Sequence, residues 1–308
     1  MLLVRDELQR SVTPGEHALS IGVFDGVHGG HQALVNRMLE EAAARGLTGG
    51  VVTFHPHPRT VIRPDQPFEY LESLEHRVEL LRACGVEFVS VLQFTSELQQ
   101  VSAEDFCRLL VEEARVRLIV VGEDFRLGRG GEGTVARLAE IGEGLGFEVL
   151  PVGLLDHGAD STPISSTRIR TALAAGEMED VHALLGRPFS LRGPVLRGDQ
   201  RGRTIGFPTL NVGVSADRAL PPDGVYVTRA YLPTGIFNAV TNIGTRPTFD
   251  GTSRRVETHV FDFEGDMYGQ VVTIELLHRL REEQKFDSVD ALVAQIKLDS
   301  VAAREWLR

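Results

Sequence analysis

The reading of the chain turns on Ala18-Leu-Ser-Ile-Gly-Val-Phe-Asp-Gly-Val-His-Gly-Gly-His31. An apolar run suited to a buried strand passes directly into a loop holding four glycines, an aspartate and two histidines. Beyond the loop, Leu34 with Met38 and Val35 with Leu39 repeat at i, i+4, the spacing of one buried helical face. A helix that begins there turns unpaired backbone N–H groups toward the loop, and glycines let the backbone approach a guest closely. The guest favoured by such a site is an anion, phosphate above all. His28 and His31 bracket two glycines, so both imidazoles can donate to phosphate oxygens as charge develops; surface or helix-capping histidines are the alternative.

Outward from this loop the chain shows two patterns. Residues 18–24, 50–54, 87–94 and 117–121 read as strands alternating with amphipathic helices, one of them starting at the capping-box-like Ser102-Ala-Glu-Asp105 and running to about Ala114. The alternation predicts a Rossmann-like parallel sheet with helices on its faces. After Leu185 the runs 225–232, 236–243, 256–263 and 271–280 are β-rich and separated by Pro, Gly, Asn and Asp, as in an antiparallel barrel or sandwich. A terminal helix over 288–307 follows, with Leu292, Val293 and Ile296 on one side. Helix-stop and turn signals at 186–188 set expected domains of 1–185 and 186–308.

The 308 residues allow two domains with separate cores, and the composition, 42% hydrophobic and 24% charged, is that of a globular protein. No apolar run approaches bilayer length and MLLVRDELQR lacks the features of a signal peptide, so a cytoplasmic protein without membrane partners is expected. Cys84 and Cys107 are the only cysteines, both in amphipathic stretches, and read as core fillers. A net charge of −11 argues against nucleic acid as a partner, since binding a polyphosphate backbone requires many Lys and Arg.

Further segments carry potential chemistry. Thr53-Phe-His-Pro-His-Pro58 follows the second strand at its carboxyl end, the edge where open α/β sheets bind ligands. A zinc set of these histidines with His28 and His31 lacks a glutamate or cysteine at usual spacing. Ile164-Ser-Ser-Thr-Arg-Ile-Arg170 places hydroxyls and arginines at a helix start, suited to a triphosphate or to simple capping. Gly128-Arg-Gly-Gly-Glu-Gly133 matches the dinucleotide fingerprint in letters, but the preceding strand ends near Val121, too early for its tight turn; residues 122–133 read as a ligand-binding or mobile loop.

In the second half, Gly198-Asp-Gln-Arg-Gly-Arg-Thr-Ile-Gly-Phe-Pro-Thr-Leu-Asn211 spaces Gly198, Gly202 and Gly206 four apart. It ends with Thr209 and Asn211 on one side of an extended chain, two oxygens that could share Mg²⁺ with ATP phosphates; a glycine-rich hairpin is the alternative. Glu257, in Arg-Arg-Val-Glu-Thr-His259, stands on a predicted strand, either solvated or placed to take a proton from an attacking hydroxyl. Asn242-Ile-Gly-Thr-Arg-Pro247 reads as a turn.

Taken in order, these segments resemble the prokaryotic bifunctional riboflavin kinase/FMN adenylyltransferase family, also called FAD synthetase, over nearly the whole chain. The resemblance implies a nucleotidyltransferase domain followed by a β-barrel kinase domain, with ATP, riboflavin, FMN and FAD as ligands. By the same resemblance Gly22, Phe24, Asp25, Gly26, His28, His31, Ser166, Thr167 and Arg170 would meet ATP during adenylyl transfer. Phe54, Pro56, His57, Pro58 and Asp124 would meet FMN. Gly198, Gly202 and Gly206 would line the kinase ATP site, Thr209 and Asn211 would bind Mg²⁺, and Glu257 would be the base for the ribityl 5′-hydroxyl. Leu127 departs from a common aromatic, and Leu210 from a common alanine.

Overall fold

The computed structural model describes residues 2–153, 156–157, 162–198, 201–248 and 251–308. By internal contacts the chain forms two compact units: Met1–Glu69 with Leu74–Ser165, and Tyr70–Ser73 with Ser166–Arg308.

In the first unit the main elements run α1 (Leu2–Ser11), β1 (His17–Ile21), α2 (Gly29–Arg45), β2 (Thr48–His55), α3 (Leu74–Ala83), β3 (Phe88–Gln93), α4 (Ala103–Ala114), β4 (Val116–Gly122), α5 (Val135–Leu145) and β5 (Glu148–Val152). All five strands are parallel, in the order β3-β2-β1-β4-β5. Successive strand residues face opposite sides, and the burial follows. Leu19, Ile21, Val52, Ile119 and Val121 pack with α1, α4 and α5, whereas Ala18, Val51, Leu118 and Val120 pack with Val35, Met38 and Ala42 of α2 and Leu81 of α3. Helices therefore cover both faces, as expected from strands that read as continuous apolar runs.

The helix from Ser102 is confirmed with its cap, the Ser102 hydroxyl accepting from Asp105 N–H. Three features lay outside the expectation. α1 precedes the sheet, and β5 carries Pro151, which an edge strand tolerates and a central one does not. The stretch 122–133 contains a small hairpin, Arg126–Leu127 against Gly133–Thr134.

The second unit contains α6 (Ser166–Ala175), α7 (Met178–Leu185), β6 (Phe189–Leu196), β7 (Leu210–Val212), β8 (Gly224–Leu232), β9 (Gly235–Thr248), β10 (Gly251–Val260), β11 (Val271–Glu282) and α8 (Val289–Trp306). The strands close into an antiparallel barrel in the order β6-β7-β10-β9-β8-β11, which decides between barrel and sandwich. On one barrel face the buried hydroxyls of Thr228, Thr241 and Thr258 form a chain across β8, β9 and β10, each link 2.9 Å. The opposite face brings Val225, Val227 and Val240 together with Ala303 of α8.

Two sequence expectations are corrected here. Residues 242–247 are not a turn: β9 runs through them, paired to β10 in unbroken register. β6 and β7 were not anticipated, because Gly193 and Pro194 interrupt one and the other is three residues long. α7 ends at Gly186 in the left-handed region, where the helix stop was read, while the contacts group α6, α7 and residues 70–73 with the barrel.

The short segment is woven in firmly. Tyr70 N–H donates to Asp217 O (2.7 Å) and Tyr70 O accepts from Ala219 N–H (2.9 Å). Glu72, 1% exposed, accepts from Arg187 (2.9 Å) and from Arg218 (3.3 Å), and Arg218 also donates to Tyr70 O and Ser190 O.

Candidate functional sites

In the first unit the chain leaves β1 for β2 on one side and later enters β4 on the other. Loops leaving β1 and β4 therefore diverge at their carboxyl ends and open the crevice where such sheets bind ligands. Residues 22–28 occupy that point. Gly26 is left-handed (φ 85°), and Phe24 (φ 55°) and Val27 (φ 39°) adopt the same unusual region without being glycine. For a β-branched residue this is strained backbone, which surrounding structure must enforce. A Cβ on Gly22 would lie 3.1 Å from the buried Phe24 ring, a tight approach to which the ring would have to give by a few tenths of an ångström.

His28 is the N-cap of α2: its Nδ1 accepts from His31 N–H at 3.3 Å, which places its proton on Nε2. The His28 and His31 rings stack at 3.6 Å, 16° from parallel, with the Phe24 ring edge-on to His31 at 5.1 Å. Burial, then His28, then Arg77 hold His31 well below the usual histidine pKa, so it is neutral at pH 7. Its buried Nδ1 has no hydrogen-bond partner among the described residues. Asp25 is buried within the loop.

The carboxyl end of β2 is fastened to this loop. Val23 O accepts from Thr53 Oγ1 (2.9 Å) and from Arg77 Nη1 (2.8 Å), while Arg77 Nη2 donates to Phe54 O (3.1 Å). Phe54 packs its ring beside Phe94 and Phe106. His57 caps the turn at Pro58 by accepting from Arg59 N–H (3.0 Å) and lies 4.1 Å from the Phe68 ring; the preceding His55–Pro56 bond is cis. Asp124 is exposed just past the end of β4. Ser166, Thr167 and Arg170 occupy the first turns of α6, in the second unit. Arg77 is a residue the sequence reading missed. Its signal is an arginine on the apolar stripe Leu74, Val78, Leu81 of α3, where charge is unexpected.

In the second unit a cavity of about 440 Å³, within the range of small-molecule sites, gathers four of the barrel residues singled out from sequence, while Gly198 and Gly206 are not among those lining it. Gly202, Thr209, Asn211 and Glu257 line it, with Asn242, Arg255 and His259. Cross-strand register explains the grouping. Glu257 on β10 stands directly opposite Asn211 on β7 and Asn242 on β9, so the three side chains share one face of three adjacent strands.

The glycines make room for this cluster. A Cβ on Gly198 would lie 2.5 Å from the Asn211 amide, and one on Gly202 2.3 Å from Phe207 O and 3.5 Å from Thr209 Oγ1. Gly206 turns the chain in the left-handed region (φ 84°). Asp199 and Gln200 of this segment lie outside the described residues. His259 bonds Pro208 O through Nδ1 (2.8 Å), edge-on to Phe207. At the α8 side of the cavity Arg281 forms a bidentate pair with Asp299 (2.9 and 2.7 Å), which also accepts from Gln295. Asn242 was missed because it was read as part of a turn.

Residues 11–168 match the family model described as FAD synthetase, and residues 185–307 match the one described as riboflavin kinase. A bifunctional riboflavin kinase/FMN adenylyltransferase of Escherichia coli (strain K12) is 38% identical over 309 residues, covering 99% of this chain and 98% of the relative. The chain belongs to the bifunctional riboflavin kinase/FMN adenylyltransferase family. The Bacillus subtilis (strain 168) member is 35% identical over 305 residues, 98% of this chain and 94% of its own. A crystal structure named as a macrolide-efflux protein from Streptococcus pneumoniae is similar over 97% of both chains, at TM-score 0.88 and 34% identity. Among the described residues of this chain no helix is long and apolar enough to cross a membrane. As in the family, an adenylyltransferase module precedes a kinase module, and both use ATP.

Proposed function

We propose that the two clusters are the two active sites of a chain that converts riboflavin to FMN and FMN to FAD. In the barrel, Glu257 accepts the proton of the ribityl 5′-hydroxyl as that oxygen attacks the γ-phosphorus of ATP; FMN forms and ADP leaves. Asn211 and Asn242, which flank Glu257 on the neighbouring strands, orient the reacting groups. Gly198, Gly202 and Gly206 let the backbone come close to the ATP phosphates. The alignment of Asn211, Glu257 and Asn242 across three strands of one cavity is the observation that carries this reading.

Mg²⁺ fits the donor set. Thr209 and Asn211 offer uncharged hard oxygens beside the Glu257 carboxylate, in a cradle that a Cβ on Gly198 or Gly202 would fill. Thr209 and Asn211 would hold the ion, which when bound neutralises charge on the phosphates.

In the first unit the proposed chemistry is attack of the FMN phosphate on the α-phosphorus of a second ATP, with pyrophosphate leaving. His28, with its proton on Nε2, and His31 donate to phosphate oxygens, assisted by the N-terminus of α2. Gly22, Phe24, Asp25 and Gly26 shape the loop against the nucleotide. Phe54, Pro56, His57, Pro58 and Asp124 are proposed for the flavin side, and Ser166, Thr167 and Arg170 for the triphosphate. The functional modules are then residues 1–185 and 186–308, and a cytoplasmic setting suits two reactions that consume ATP.

The test is incubation with riboflavin, ATP and Mg²⁺ followed by separation of flavins. FMN and then FAD are expected. FMN without FAD refutes the assignment of the first site, and FAD formed only from added FMN refutes that of the second.

A further inference from the structure

We propose that Arg77 is a positioning residue for adenylyl transfer, setting the separation between the phosphate loop after β1 and the loop after β2. The inference rests on the assignment of residues 22–31 to the adenylyl site. Arg77 is 1% exposed, and its guanidinium spends two donors on backbone carbonyls, Val23 O at 2.8 Å and Phe54 O at 3.1 Å. Those carbonyls lie at the carboxyl ends of two adjacent parallel strands, Val23 just past β1 and Phe54 next to the last residue of β2. From one the chain runs on to Phe24, Asp25 and His28; from the other it runs on to His55, Pro56 and His57. A planar fork is the side chain able to span both carbonyls at once, and a lysine ammonium is a single point that cannot reproduce the span.

Burying a guanidinium in a helix's apolar stripe is unfavourable until its bonds form. An apolar residue at this position of α3 would fill the core at no such cost, so the guanidinium answers a need other than packing. The loop it holds is the strained one, with Phe24 and Val27 in the left-handed region. A strained loop relaxes unless tethered, and Val23, immediately before Phe24, takes both the Thr53 hydroxyl and the Arg77 guanidinium. The cation also acts beyond its bonds: it is among the groups that keep His31 neutral.

The reaction joins a phosphate held by one loop to a phosphate of the molecule assigned to the other. Arg77 fixes the distance across which the bond forms, an effect on bound substrates more than on their binding. A displacement of about 1 Å is enough for roughly a hundredfold loss.

The test compares wild type, Arg77→Lys, Arg77→Ala and His28→Ala as full chains, measuring kcat and KM for FAD formation from FMN and, in the same samples, riboflavin phosphorylation. For Arg77→Lys the expectation is a fall in adenylylation kcat of about tenfold or more, with KM for ATP and FMN changed less than about threefold. Riboflavin phosphorylation stays at the wild-type rate. Ethylguanidinium added to Arg77→Ala restores part of kcat. An unchanged kcat in both variants, a rise in KM alone, loss of FMN binding in Arg77→Lys, or no recovery with ethylguanidinium each overturns the proposal. His28→Ala keeps the two readings apart: if it retains full FAD synthesis, the site assignment itself fails, whereas if it is inactive while the Arg77 variants are normal, only the role of Arg77 fails.

Discussion

On the proposed assignment His28 serves one reaction and Glu257 the other, so substituting them should separate the two activities. His28→Ala is expected to let FMN accumulate while FAD formation falls at least about a hundredfold, the scale of losing an oriented transition-state donor. Glu257→Gln keeps shape and removes the proton acceptor, so FMN formation from riboflavin drops by about 10² to 10⁴ while added FMN is still adenylylated. Chromatography of the flavins reads both; loss of both activities in either variant would refute the division. His31 supplies a pH prediction. Burial, with His28 and Arg77 nearby, holds its pKa in the folded chain well below the ordinary histidine value of 6.5. As pH falls through about 6.5 the unfolded chain binds a proton that folded His31 refuses, so stability is full above that pH and declines below it. Protection factors of β1 amides should fall between about pH 7 and pH 5, and fall less in His31→Gln. Cys107 completes the scale: burial pushes its thiol up to about 12, and it should resist thiol reagents until the chain unfolds.

At the level of elements, glycine placement is where sequence and site meet most directly. Gly202→Ala puts a methyl 2.3 Å from the Phe207 carbonyl, a backbone atom that cannot swing aside. The segment carrying Thr209 must move, and kinase activity should fall while adenylylation is kept, measured on the same preparation. Most of the elements around the sites were readable because their signals are local. The i, i+4 stripe of α2, the Ser102 cap and the alternating barrel strands each announce themselves within a few residues. What could not be read depends on neighbours distant in sequence. β7 is three residues long and exists because β6 and β10 flank it. Asn242 gains meaning only through register with Glu257, and Arg77 only through carbonyls 54 and 23 residues away. Of the two readings open for the histidines of residues 22–31, phosphate donor or helix cap, the structure shows the cap at His28, while the stacking of His28 on His31 had no signal in the sequence.

Over the whole molecule, one chain carries a reaction and the reaction that consumes its product. FMN released by the kinase module is the substrate of the other, so His28→Ala and Glu257→Gln should complement each other in solution. A mixture of the two inactive variants with riboflavin, ATP and Mg²⁺ should form FAD after a lag while FMN builds up, and no FAD from the mixture would argue that FMN does not pass between molecules.

The segment 70–73 bears on any attempt to excise the kinase half as a fragment. A clone beginning at Ser166 contains every barrel strand, yet it omits Glu72, the carboxylate that both Arg187 and Arg218 reach. Arg218, 5% exposed in its side chain, would lose the Glu72 carboxylate, and removing one partner of a buried ion pair costs about 3–5 kcal/mol. Much of a small domain's stability would be gone. The boundary between the halves is thus not a point on the sequence, and a kinase fragment made by a single cut inherits a vacancy written almost a hundred residues upstream of its first amino acid.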